Sequence, residues 1–478
     1  MGLDFGRGLW DNVRMKKLLA LSLSIVAASA AFAEIKIVEP APGAVVPLLT
    51  DAQKAYVSMD RQARREKFAD QKFRSKEMGL PAELVPGEKT SREAYWPKTV
   101  RLAWEAKSGV EYRVRVRDAA KGIVVIDEKT IGCELRIDNL EIAASYEWTV
   151  EGGGDSGKGM FKTEDKAPRL VRFPGVPNVR DFGGYIGLGG RRARQGMIFR
   201  SAGLNNNART VYYTVEELKQ MGKVEELKAA ADEAQKRLDQ LLAWQADPKT
   251  MDRKDAEYKD WCGRHPGEPV AKFLSSRILK AKAAVKKGGD PKVKKGMEKG
   301  KSRVKGENGA YILARFGIKS DIDLRSNGEC HGMTGSPLGD AVTWFHYSSS
   351  AYGGMQTDSG KAAFKKVFKV FLDEKNYPID FHCIAGQDRT GAVAFILGAL
   401  LGYDEDVLYL DWELTGFWNR SAGFNHKARF DKLVKGFKEK HPAATIHESV
   451  VKYVHELGFN DDDIAKFRSI MLPERVSP

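Results

Sequence analysis

The segment best suited to chemistry is Phe381-His382-Cys383-Ile384-Ala385-Gly386-Gln387-Asp388-Arg389-Thr390-Gly391. Five residues separate its Cys from its Arg, and apolar stretches stand on both sides. A loop of this length between a strand and a helix can curl until its backbone N–H groups face a single anion. Gly386 and Gly391 allow close approach and sharp turning without a Cβ penalty. A helix starting near Thr390 brings its positive end under Cys383, and the Arg389 guanidinium adds a full charge. Both favour the thiolate, which is the attacking form. Arg389 can hold two phosphate oxygens at once. The expected chemistry is attack of Cys383 on phosphorus, a phosphocysteine intermediate and hydrolysis by water, with no metal or cofactor in the scheme. Ile384, Ala385, Gly386, Gln387 and Thr390 would surround the phosphate. The competing reading of Cys383 is a small core residue at the end of a buried strand; the full loop pattern weighs against it. His382 keeps two readings, a residue orienting the loop from behind or a satisfied core histidine.

Such a loop needs a strand before it and a helix after it. Residues 378–383 and 390–401 fit those parts, and further strands are expected at 197–201, 320–325 and 342–347, with a helix over 360–374. Strands alternating with helices predict an α/β fold, a mainly parallel central sheet flanked by helices. Residues 205–308 interrupt the alternation. They are rich in Lys, Glu and Ala, with Leu227, Leu238, Leu241 and Leu242 at helical spacing. From Lys272 to Lys305 there are 13 Lys/Arg against 2 Asp/Glu. The expectation is a helical hairpin and a basic arm, either a solvated insertion or a holder of an anionic partner.

The loop resembles that of the cysteine-phosphatase superfamily, and in particular the bacterial tyrosine phosphatases with H-C-x-x-G-K-D-R-T-G. Asn178-Val-Arg-Asp-Phe-Gly-Gly-Tyr185 is similar to that family's N-F-R-D-L-G-G-Y, and Ile198-Phe-Arg-Ser201 follows in order. Gly317-Ile-Lys-Ser-Asp-Ile-Asp-Leu-Arg-Ser326 with Glu329 is similar to its L-G-I-x-x-x-I-D-L-R-S-x-x-E. The resemblance spans about 170–204 and 309–470 and implies the superfamily's fold, with 205–308 inserted where the family has a short helix. It implies Cys383 as nucleophile, Arg389 as phosphate clamp and Thr390 as a residue helping the thiolate leave. No Trp-Pro-Asp tripeptide occurs, so the resemblance makes Asp388 the candidate general acid, with Asp181 and Asp358 as rivals. Gln387 stands where the family usually has Lys, which weakens the case for multiply phosphorylated substrates. Asp323 and Arg325 either line the pocket or form a structural ion pair, the latter being favoured. Trp344, Tyr347 and Tyr352 either flank a phenyl ring or belong to the core.

Upstream, Met15-Lys-Lys17, the apolar run 18–28 and Ala31-Phe-Ala33 form the pattern of a secretory signal peptide, so 1–33 is expected to be cleaved after Ala33. Export to the periplasm or beyond follows; an uncleaved anchor is the alternative. No later stretch is apolar enough to span a bilayer. Residues 34–95 read as a partly helical extension. Residues 96–165 show short alternating strands at 99–104, 112–117, 123–126 and 146–150, and resemble a fibronectin type III domain. The phosphatase domain is expected over 169–478. A net charge of +14 favours acidic or phosphorylated partners, and no nucleic-acid motif is present. The four cysteines show no metal-ligand spacing. These features predict an exported protein-tyrosine phosphatase, with dual specificity open, that acts on a phosphorylated protein or another phosphomonoester. A phosphoinositide or inositol-phosphate phosphatase is the alternative within enzymes. A non-catalytic phospho-ligand binding module is the alternative from another class.

Overall fold

The computed structural model describes residues 34–69, 96–205, 210–212, 215–289, 294–297, 306–330, 333–417 and 427–473. The expected signal peptide, the latter part of the N-terminal extension and much of the basic arm lie outside the described residues. Among the described residues no helix is long and apolar enough to cross a membrane.

The chain opens with β1 (Ile37–Glu39), β2 (Ala44–Val46), α1 (Asp51–Val57) and α2 (Arg61–Ala69). Six strands follow: β3 (Val100–Trp104), β4 (Glu111–Asp118), β5 (Val124–Ile131), β6 (Glu134–Ile137), β7 (Ser145–Gly152) and β8 (Asp155–Thr163). They form a three-stranded sheet, β1-β3-β6, and a five-stranded sheet, β2-β8-β7-β4-β5. Inward residues of both, including Leu102, Trp104, Val114, Trp148 and Phe161, make one apolar cluster. β8 was not anticipated, because Gly157 and Gly159 dilute its strand character. Gly159 is required there, since a Cβ would lie 2.4 Å from Trp148 Nε1.

The α/β part holds a second five-stranded sheet: β9 (Arg180–Asp181), β10 (Ile198–Ser201), β13 (Ser320–Asp323), β14 (Thr343–His346) and β15 (Ile379–His382), in the order β14-β13-β15-β10-β9. All its pairings are parallel except β9 with β10. Alternate residues serve opposite faces. Ile198, Ile322, Ile379 and Phe381 enter the main core under α9 (Asp358–Phe371), α10 (Asp388–Leu401), α11 (Glu405–Glu413), α12 (Lys427–Lys440), α13 (Ile446–Glu456) and α14 (Asp461–Met471). The other face carries Phe199, packed with Ile312 and Phe316 of α7 (Gly306–Phe316), and a polar set of Asp321, Asp323, Asp380 and His382; the one-turn α8 (Asn327–Cys330) follows β13. α10 is buried from Thr390 to Leu401, as a helix apolar on every side must be.

Between β10 and α7 the chain leaves the sheet. The ribbon β11 (Thr210–Tyr212) and β12 (Lys294–Met297) pairs antiparallel at its base. Beyond it, α3 (Val215–Gln220) leads to α4 (Lys223–Ala246), α5 (Ala256–Arg264) and α6 (Val270–Gly289). Leu238, Leu241, Trp244, Trp261, Phe273 and Ile278 give this excursion a core of its own. Leu242, expected on that face, is exposed instead.

Candidate active site

The loop joins β15 to α10. β15 is buried along its length, so Cys383 leaves the sheet only 2% exposed. Each carbonyl of the curl is held from outside. The Cys383 carbonyl accepts from His382 Nδ1 at 3.1 Å and that of Ile384 from the Gly203 N–H at 2.9 Å. The Ala385 carbonyl accepts from Asn178 Nδ2 at 2.8 Å and that of Gly386 from Arg200 Nη2 at 2.7 Å. A trans peptide points its N–H away from its C=O, so the N–H groups of residues 384–387 turn inward. Among the described residues none of the four donates to a protein acceptor. Behind them α10 begins without a side-chain cap. Four converging donors over an open helix start make a cradle for one tetrahedral anion. Gly386 sits at φ 66°, and a Cβ there would lie 2.3 Å from the Ser201 carbonyl. Glycine is therefore needed to close the curl.

Burial alone would push the Cys383 thiol up. The Thr390 hydroxyl and N–H, with the Arg389 guanidinium, outweigh burial and the opposing Asp388, leaving the thiol below its ordinary range. Arg389 is oriented by Glu329: Nη1 donates to Oε2 at 2.5 Å and Nη2 to Oε1 at 3.0 Å. This bidentate pair holds the Glu329 carboxyl at about 2. It occupies the Nη1–Nη2 edge and leaves the Nε–Nη2 edge for a phosphate.

Asp388 accepts a hydrogen bond from the Tyr352 phenol. Asp181 is elsewhere. Fully buried, it pairs with Arg169 at 2.7 Å and accepts from the N–H groups of Gly183 and Gly196 at 2.8 and 2.6 Å. An enclosed carboxylate with its lone pairs engaged cannot protonate a substrate, so Asp181 is structural. Asp358 lies exposed in the first turn of α9 and makes no hydrogen bond to the loop. Ile384 is exposed at the mouth, whereas Gln387 is buried.

His382 is a buried group with charged neighbours. Its Nε2 lies 3.0 Å from Asp321 Oδ1, an ion-pair contact whose angle misses a directed hydrogen bond. Burial would lower its pKa, but Asp323 and Asp321 outweigh that and raise it to about 9. With both ring nitrogens protonated, the imidazolium holds the Cys383 carbonyl on one side and faces Asp321 on the other. Asp323 also pairs with Arg325, whose Nη2 is 2.6 Å from Oδ2. Trp344 stacks on His346 with centroids 4.9 Å apart. Cys330 is a free buried thiol beside Asp323 and His346, pushed up to about 12 by burial and Asp323.

Several supporting positions carry only a motif letter in the sequence or no signal at all. Asn178 and Arg200 hold the loop, Arg180 holds Asn178, and both arginines converge on Asp411 of α11. Nothing near Asp411 in the chain marks it, because its partners lie 231 and 211 residues away.

A model of the tyrosine phosphatase family matches residues 171–277 and 300–473, more than half of the chain. The match runs through 205–277 and leaves out 278–299. Eight chains of known structure match. One is the core catalytic domain of the PP-IP phosphatase SIW14 from S. cerevisiae in complex with citrate. It shares 17% identity over 28% of this chain and 81% of that chain, with a TM-score of 0.18. Among curated proteins none matches. On the family match, this chain belongs to the tyrosine phosphatase family and is a cysteine-based hydrolase of phosphoric monoesters.

Proposed function

We propose that the chain is an exported protein-tyrosine phosphatase, with Cys383 as nucleophile and Arg389 as phosphate clamp. The observation that carries this reading is the inward set of N–H groups from 384–387 around a thiol of lowered pKa, with Arg389 fixed alongside by Glu329. The Cys383 sulfur forms a bond to phosphorus as the ester P–O bond breaks. Negative charge on the phosphoryl oxygens falls on the loop N–H groups and the guanidinium. Asp388, steadied by Tyr352, gives a proton to the leaving oxygen. It then takes one from the attacking water, the P–S bond breaks and inorganic phosphate leaves. Thr390 supports the departing thiolate.

A phosphotyrosyl substrate is favoured by Gln387, which places a neutral amide in the loop. Multiply phosphorylated inositols would gain from a cation there. The basic, apolar and Ala-x-Ala segments of 1–33 support export. The fibronectin-like reading of the two-sheet unit and an anionic partner for the basic arm belong to the same proposal.

The test is hydrolysis of p-nitrophenyl phosphate with reductant and EDTA, beside Cys383→Ser, followed by phosphotyrosyl and phosphoseryl peptides and inositol hexakisphosphate. Turnover is expected for the wild type and the phosphotyrosyl peptide, and the serine variant should lose at least ~10³-fold. A fully reduced, folded protein without turnover would overturn the mechanism. Preference for the inositol phosphate would overturn the substrate.

A further inference from the structure

Residues 51–69 lie outside the span matched by the family model, yet they reach the support of the phosphate loop. Arg64 of α2 is wholly buried. Its Nε donates to Glu413 Oε2 at 2.8 Å, Nη1 and Nη2 donate to the Asp406 carboxylate at 2.8 and 2.6 Å, and Nη1 also donates to the Met59 carbonyl at 2.8 Å. The Tyr56 phenol of α1 donates to the same Glu413 oxygen at 3.2 Å. Glu413 is 1% exposed, and among the described residues these are its two hydrogen-bond donors. A buried carboxylate of the phosphatase part is thus compensated by the N-terminal extension.

Two residues before Glu413 on the same helix, Asp411 joins two buried arginines. Arg180 donates from Nε to Asp411 Oδ1 at 2.8 Å and from Nη1 to Asn178 Oδ1 at 2.8 Å. Arg200 pairs with Asp411 Oδ2. Through Asn178 and Arg200 these contacts end on the Ala385 and Gly386 carbonyls, and those carbonyls set the inward aim of the Gly386 and Gln387 N–H groups. The Tyr185 phenol interacts with Asp411, Arg180, Arg200 and Arg64, so the charges share one low-dielectric region. Without Arg64, Glu413 is an uncompensated buried anion on the short helix that also carries Asp411. A shift of α11 that relieves this charge moves Asp411 too, and with it the anchor of Arg200 on the Gly386 carbonyl and of Arg180 on Asn178.

We propose that Arg64 is a positioning residue for the phosphate loop, acting through Glu413 and Asp411 of α11, and that α1 and α2 are a working part of the active site. The proposal rests on the reading of the Cys383 loop as the phosphate site.

The test uses the full chain with Arg64→Met, measuring thermal unfolding, kcat and KM for p-nitrophenyl phosphate, inorganic phosphate affinity by calorimetry, and the pH midpoint of Cys383 alkylation by iodoacetamide. At a temperature where the variant is fully folded, kcat/KM should fall about tenfold to a hundredfold. Phosphate should bind about tenfold more weakly and the alkylation midpoint should rise. Adding Glu413→Gln, which removes the stranded charge, should restore most of the loss. A lower melting temperature with unchanged KM, phosphate affinity and midpoint would overturn the proposal, leaving Arg64 a stability residue. If wild type binds phosphate but hydrolyses nothing, the hydrolytic reading falls, and weaker phosphate binding by Arg64→Met still supports positioning. Should Arg64→Met fail to fold, Tyr56→Phe removes one bond to Glu413 and should weaken phosphate binding about fivefold; unchanged binding there would sink the idea.

Discussion

Arg389 donates through both Nη atoms to Glu329, so the carboxylate decides which guanidinium edge is left open. Because Arg389 depresses the Glu329 pKa, the pair is present above the ordinary carboxyl range and is lost only as pH falls toward about 2. The orientation therefore persists across any practical assay range. Glu329→Gln keeps the shape and one acceptor but removes the charge. It should raise KM for p-nitrophenyl phosphate about tenfold, near the ~1.4 kcal/mol expected of a charge-assisted bond. Glu329 is partly exposed, so the melting temperature should move by only a few degrees. Steady-state kinetics beside a thermal melt test this, and an unchanged KM would remove Glu329 from the site. The loop residues were legible in the chain because Cys, Gly and Arg at fixed spacing are local chemistry. Glu329 stood there only as a motif letter, and Asp411 carried no mark, since both work through contacts the fold alone creates.

At the level of elements, β13 and β15 place Asp321 beside Asp380 and Asp323 beside His382 on one buried face. His382 has its folded pKa raised from 6.5 to about 9. It therefore contributes stability that is fully present below 6.5 and lost as pH rises through about 9. Asp380, raised by burial and by Asp321 to about 7, loses stability with rising pH in a lower window, from its ordinary 3.8 upward. The lowered Cys383 thiol has the opposite sign, so the measurement belongs in the Cys383→Ser background. Urea unfolding there should show stability falling between pH 6.5 and 9.5 by on the order of a few kcal/mol. His382→Asn should flatten that slope; a level profile with histidine present would contradict a charged ring. The strands and helices around this face were readable from apolar runs and their periods. β8 was not, because its glycines serve a neighbouring tryptophan and a passing backbone rather than the strand itself.

Across the whole molecule, the two-sheet unit meets the α/β part through residues 138–142. Asn139 accepts from the Arg172 N–H at 2.7 Å and donates to the Arg172 carbonyl at 3.1 Å. Ile142 and Gln195 exchange two bonds at 2.9 and 3.0 Å, and Arg169 donates to the carbonyls of Leu140 and Asn139. Asn139 adopts φ 61°, so Asn139→Gly tests its side chain without adding backbone strain. The variant should lose about 2 kcal/mol and several degrees of melting temperature while kcat stays unchanged. Thermal melts paired with turnover decide this; a loss of kcat would mean that the junction reaches the active site. The ribbon of β11 and β12 has a different consequence. It brings Thr210 and Met297 side by side, so the closure entropy of everything between them is met at the ribbon and not by the sheet. That cost grows only with the logarithm of length. Added or removed residues beyond the ribbon therefore leave the path from β10 to α7 unchanged, and the chain can vary there in length and charge while its chemistry stays fixed.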